Sequence, residues 1–247
     1  ATCDRSRIES DGMLLRNARQ MENVVRLLST LALMGAVRSL AGKYQAEQGT
    51  RIDADFAPTL GLLDRLRGGE AADVVILTRE GLDELASEGT VVADSRVDLA
   101  RSYVGIAVKA GADHPDIATE PALRATLLGA RVAYSRIGAS GIFFAQLIER
   151  MGIASEINAK ARIVPSGFTA ERLVTGDADL AVQQISELKQ VAGVEIVGPI
   201  PLHMQSPAMF SAGRLAASKR AVQADELLKY LASPEAAPVL RASGLEP

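Results

Sequence analysis

The chain reads as an α/β protein of two lobes, each a mostly parallel sheet flanked by helices, with a ligand cleft between them. Short apolar runs alternate with segments of helical period, the pattern of βαβ units. The pattern occurs twice, on either side of a long extended stretch from Arg96 to Ala110. Six of the apolar runs end in small polar residues just before a helix. In an open parallel sheet such ends share one edge, where ligands bind. The helices that follow point free N–H groups at the same edge, which suits anions.

The elements follow in order. Residues 1–21 are polar and are expected to form a tail. Asn23 to Leu28 is a strand ending at Ser29-Thr30. Met34 to Gln48 is a helix with Val37, Leu40, Ala41 and Tyr44 on one face and Gly49 as its stop. Arg51 to Ala57 alternates Ile52, Ala54 and Phe56 on one side and is a strand. Thr59 to Arg67 is a short helix closed by Gly68-Gly69, Asp73 to Leu77 a buried strand, and Arg79 to Ser87 a helix. The second set begins with a helix over Thr119 to Leu128, with Thr119 as N-cap and Pro121 in the first turn. Val132 to Ser135 is a strand and Ala139 to Met151 a helix. Arg162 to Pro165, Asp179 to Gln184, Glu195 to Val197 and Ala208 to Ala216 are extended, and Thr169 to Thr175 is helical. Two helices close the chain: Lys219 to Leu231, and one capped at Ser233-Pro234-Glu235. Lobe one is therefore expected over 22–101 and 205–247, and lobe two over 102–204.

Composition narrows the function. The 247 residues suffice for a sizeable core. A net charge of -3, with Lys and Arg scattered and aromatics at 4%, gives no basic stacking face, so nucleic acid is not an expected partner. The longest apolar stretch, Val24 to Val37, is interrupted by Arg26, Ser29 and Thr30 and is too short for membrane insertion. The single cysteine, Cys3, excludes an intrachain disulfide. With two histidines, His114 and His203, both in loop-like sequence, no metal site and no cofactor are expected. There is no phosphate loop and no Gly-x-Gly-x-x-Gly, and Gly138-Ala139-Ser140-Gly141 is one residue short of a nucleophile elbow. No catalytic residue is assigned.

The candidate ligand contacts are the polar strand ends. Ser29, Thr30, Thr59, Thr78 and Ser140, with Leu60 and Gly141 beside them, are each explained singly by helix capping. As a set facing one cleft, they also fit ligand binding. Arg136 follows a buried strand and offers a fork for a carboxylate, or else is a solvated surface arginine. Arg79 and Arg101 are weaker candidates of the same kind. Gln183 and Gln184 at a strand end offer amide hydrogen bonds or serve as a polar hinge pair, and Phe168 is a cleft wall or a core residue.

Several segments together resemble the molybdate-binding-like branch of the type II periplasmic solute-binding proteins. They are Gly68 to Leu77, Ser95 to Arg101, Ala181-Val182-Gln183-Gln184-Ile185-Ser186-Glu187, Phe210 to Gly213, and Leu231 to Ala237 with Gly244 to Pro247. The resemblance covers residues 22–247. It implies a two-lobe periplasmic-binding-protein-like fold, two crossover strands, and closure on a small anion. It also implies that hydroxyls after the first and second strands hold the ligand with backbone N–H groups of lobe two. Ser29 matches the first position, with Thr30 beside it. At the second, Pro58-Thr59-Leu60-Gly61 replaces a serine-rich turn, and Gln183-Gln184 stands where a tyrosine is expected. Both departures count against molybdate itself, and Arg136 in the cleft would favour a carboxylate.

The function expected first is a solute-binding protein closing on an organic polycarboxylate or an oxyanion, as a transport receptor partnered by an ABC transporter permease. Some relatives resembling this branch isomerise aconitate by moving a proton between allylic positions, so an isomerase is the second expectation. A sensory binding module inside the cell is the third. The compartment is periplasmic if a signal peptide has been removed, and cytoplasmic otherwise. On this reading Arg136→Ala abolishes ligand binding and leaves the fold intact.

Overall fold

A computed structural model describes residues 23–247, and the tail read at 1–21 lies outside them. Two five-stranded sheets organise the chain. The first comprises β1 (Val24–Ser29), β2 (Arg51–Phe56), β3 (Val74–Thr78), β4 (Val97–Ser102) and β10 (Ala208–Arg214), in the order β2-β1-β3-β10-β4. The second comprises β5 (Val104–Lys109), β6 (Val132–Tyr134), β7 (Arg162–Ile163), β8 (Leu180–Gln184) and β9 (Val194–Pro199), in the order β7-β6-β8-β5-β9.

Both sheets are mixed. The ladders β2-β1-β3 and β7-β6-β8 are parallel, whereas β10 and β5 run antiparallel to both their neighbours. The strands that break the parallel pattern are those bordering the crossings between lobes. Tyr103 alone separates β4 in one sheet from β5 in the other, so the stretch read as one extended segment is two strands. The return crosses between β9 and β10 through a short 3-10 turn, Leu202–Met204. Gln205 ties the two crossings together. Its side-chain carbonyl accepts from the Val104 N–H at 2.9 Å, and its amide donates to the carbonyls of Val104 at 3.1 Å and Ile200 at 2.6 Å.

Strand alternation builds a core on each face of sheet one. Leu27, Val74 and Ile76 face the helices α1 (Met34–Gln48), α9 (Ala221–Leu231) and α10 (Ala237–Ala242). Leu28, Val75 and Leu77 face α2 (Thr59–Arg67) and α3 (Arg79–Ser87). Helix α1 buries Val37, Leu40 and Tyr44 as its period requires, and Gly49 ends it at a φ of 68°.

In sheet two, Ile106, Val132 and Val182 pack against α4 (Glu120–Gly129), α5 (Ala139–Arg150) and α6 (Ala154–Asn158). The opposite face is small: Ala107, Ala133 and Ala181 lie side by side across three strands. Those alanines let the short helices α7 (Glu171–Val174) and α8 (Ile185–Leu188) sit close to the sheet. Neither α6 nor α8 was read from the sequence, because each is little more than one turn and shows no period. The last helix also starts later than its Ser233-Pro234-Glu235 signal: α10 begins at Ala237 and has no side-chain cap.

Candidate functional site

The carboxyl ends of the strands meet at the seam between the lobes and enclose a cavity of about 10 Å³. Thr30 after β1, Pro58 and Thr59 after β2, and Phe210 on β10 form the wall from sheet one. Ser135, Gly138, Ala139 and Ser140 after β6, Gly167 after β7, and Gln183 and Glu187 at and after β8 form the wall from sheet two. Of the six polar strand ends, only that of β3 contributes nothing to the lining.

Two helices open onto this cavity without a side-chain cap. The N-cap of α2 is Pro58 and that of α5 is Gly138, and neither has an oxygen-bearing side chain to satisfy the first turn. The 3-10 turn Leu31–Leu33 after β1 is likewise uncapped, and the buried Thr30 hydroxyl has no partner. Two helices away from the cavity carry a cap: the Thr78 hydroxyl accepts from Gly81 N–H at 3.3 Å, and Thr119 caps α4 in the same way. The first N–H groups of a helix have no internal acceptor. At the cavity, apart from the Leu60 N–H of α2, which is spent on the Ile137 carbonyl, they remain available to an anion.

The predicted ligand contacts divide accordingly. Thr30, Thr59, Ser140 and Gln183 line the cavity. Gln183 also positions its neighbours, accepting from the Thr169 N–H at 2.8 Å and donating to the Gly167 carbonyl at 3.2 Å. The others lie off the lining. Ser29 is buried and donates to the Thr30 carbonyl at 3.0 Å. The Leu60 N–H donates across the seam to the Ile137 carbonyl at 3.2 Å, so the lobes stand closed here. Thr78 is a helix cap. Gly141 serves packing: a Cβ there would sit 1.5 Å from the Ser135 carbonyl oxygen. Gln184 is buried as the N-cap of α8, with its side-chain carbonyl unpartnered.

Arg136 corrects the expectation of a cationic grip. Its side chain is exposed and reaches back to Asn158 Oδ1 at 3.4 Å, beside the Tyr134 hydroxyl that donates to the same oxygen. One strand-end residue beyond β6, the chain has already turned outwards. Arg79 is paired with Asp98. The aromatic wall is Phe210 rather than Phe168, which is half-buried outside the lining. Among the described residues, no lysine or arginine lines the cavity.

Glu187 was not singled out from the sequence. It lies at the third position of α8, 7% exposed, and lines the cavity. Burial pushes its carboxyl up to about 8, while the Gln184 N–H and the Gln183 amide pull the other way. The signal was present as Gln184-x-x-Glu187, the spacing of a residue that reaches back to its own N-cap. Its burial was not visible, since the four-residue helix has no amphipathic period.

Among the described residues no group of His, Cys, Asp and Glu side chains is placed to hold a metal ion, and no helix is long and apolar enough to cross a membrane. His203 is exposed on the 3-10 turn, and His114 pairs with Glu195 at 3.0 Å on the surface.

Comparison with known proteins agrees with this architecture. The chain is 38% identical over 237 residues to an aconitate isomerase from a Pseudomonas species, covering 93% of this chain and 90% of that protein. The periplasmic molybdate-binding protein of Azotobacter vinelandii superposes with a TM-score of 0.76 at 18% identity, over 90% of this chain and 98% of its own. The sulfate-binding protein SubI of Mycobacterium tuberculosis gives 0.74 at 15% identity, over 91% and 87%. Both likenesses concern the fold. A family model described as bacterial extracellular solute-binding protein matches residues 25–246, and the chain belongs to that family.

Proposed function

We propose that this chain closes its two lobes on an unsaturated tricarboxylate and isomerises it, the activity named for its Pseudomonas relative. The observation that carries this reading is the convergence of two uncapped helix ends, α2 from one lobe and α5 from the other, on one cavity. Donors of this kind bind anions through N–H groups and the helix dipole. Their arrival from opposite walls suits a ligand carrying carboxylates at both ends. The hydroxyls of Thr30, Thr59, Ser135 and Ser140 add donors between them. The ligand is too large for a 10 Å³ cavity, so entry requires the lobes to separate and reclose.

Capture without chemistry, as a receptor delivering an anion to an ABC transporter permease, is the second reading. The family and the oxyanion-binding proteins that share the fold favour it. One screen separates the two. The melting temperature is measured with cis-aconitate, trans-aconitate, tricarballylate, citrate, molybdate, tungstate, sulfate and phosphate, since a ligand of the native state raises it. Interconversion of the aconitates is followed by proton NMR. Stabilisation by tricarboxylates together with interconversion supports the isomerase. Stabilisation without interconversion, or by oxyanions alone, supports the receptor.

A further inference from the structure

Isomerisation of an aconitate needs one group that removes a proton from the methylene carbon and returns one to the vinylic carbon. Among the described residues, the cavity lining offers hydroxyls, amides, backbone groups and a single carboxyl. From its position in the wall, its near-complete burial and its standing as the one titratable side chain there, we infer that Glu187 is the proton-transferring residue. This rests on the isomerase reading above.

The step balances without a co-reactant. Ionised Glu187 takes a proton from the methylene carbon. The electron pair of that C–H bond delocalises over the three-carbon unit and its carboxylates. Glu187, now a carboxylic acid, protonates the former vinylic carbon, the double bond reforms one position along, and the carboxylate is restored. The geometry of the new double bond is set by how the methylene arm was held. The free N–H groups of α2 and α5 stabilise charge spreading into the end carboxylates.

The site favours a strong base. Burial holds the proton on Glu187 to about pH 8, and a carboxylate that binds its proton tightly removes one from carbon better than an ordinary carboxylate. No neighbouring charge sets this value. The Gln184 N–H and Gln183 amide are the polar groups acting on it from β8 and α8. The facing wall of lobe one brings only Thr30, Leu31, Pro58, Thr59 and Phe210.

Glu187→Gln keeps the shape and removes the carboxyl that takes up and returns the proton. It is expected to retain the rise in melting temperature with trans-aconitate while losing interconversion by about 10²–10⁴-fold. Interconversion within tenfold of the parent would overturn the assignment. The unsubstituted protein supplies an independent reading should the variant not fold: kcat/KM is expected to rise with pH towards a plateau, with a midpoint near 8. A flat profile between pH 6 and 9 also overturns it. If the unsubstituted protein binds tricarboxylates but does not interconvert them, the isomerase reading fails, and this assignment with it.

Discussion

Thr59 and Thr78 occupy similar places, each at the junction of a strand and a helix, yet they do different work. Thr78 is the N-cap of α3 and its hydroxyl is spent on Gly81. Thr59 follows the N-cap Pro58 and lines the cavity. Thr78→Ala is therefore expected to cost about 1 kcal/mol in urea unfolding and to leave ligand affinity unchanged. For Arg136→Ala the structure reverses the sequence expectation: with the guanidinium exposed and turned towards Asn158, ligand affinity by calorimetry is expected to stay within about twofold. Glu187 carries a pH signature of its own. Its carboxyl has an ordinary value of 4.5 when unfolded and about 8 when folded, so between those values the folded state binds the extra proton. Stability contributed by this group is complete below about pH 4.5 and is lost as pH rises towards 8, with a slope of up to about 1.4 kcal/mol per pH unit. The difference in unfolding free energy between the parent and Glu187→Gln, measured from pH 5 to 8, is expected to follow that slope. A difference independent of pH would place the proton elsewhere.

At the scale of elements, the site is marked by where two helices begin: α2 and α5 both start at the cavity without a side-chain cap. A proline tests it cleanly at Ala139, the first residue of α5. Proline is well tolerated at that position and lacks the N–H. It also requires an extended residue before it, and Gly138 already has φ −93° and ψ 156°. Ala139→Pro is expected to fold with unchanged stability and to bind tricarboxylate about tenfold more weakly, the value of one hydrogen bond to a charged group. Unchanged affinity would show that α5 does not donate through this group. The short helix α8 makes the complementary point. It packs against the alanine face of sheet two, which brings Glu187 to the wall of the cavity.

At the scale of the molecule, the two lobes are joined by two crossings, and Gln205 couples them. Gln205→Leu leaves the Val104 N–H and the Ile200 carbonyl without this partner in a buried setting, while the Val104 carbonyl keeps the Ile200 N–H at 2.9 Å. A destabilisation of about 2–4 kcal/mol is expected by urea unfolding. Contacts across the seam include the Leu60–Ile137 backbone bond, Lys189 Nζ donating to the Ala242 carbonyl at 2.9 Å, and the packing of α8 against the Leu31–Leu33 turn and α1.

The sequence by itself determined the βαβ pattern and the polar strand ends. Both are local: the apolar runs of β1 and β3, the period of α1 and the Gly49 stop depend on neighbours a few residues away. The four lining residues it named, Thr30, Thr59, Ser140 and Gln183, come from the same signal. Tertiary structure decided which strand ends face the cavity and which side chains turn away from it. Thr78 and Arg136 carry the right chemistry in the wrong direction, because orientation beyond a strand end is set by the loop and by what the helix packs against. Glu187 and Phe210 join the wall for the converse reason: one sits in a helix too short to show a period, the other on a strand that reaches the first sheet only after the chain has passed through the second lobe. Burial of a carboxyl, and with it the proton it holds, arises only when both lobes surround it.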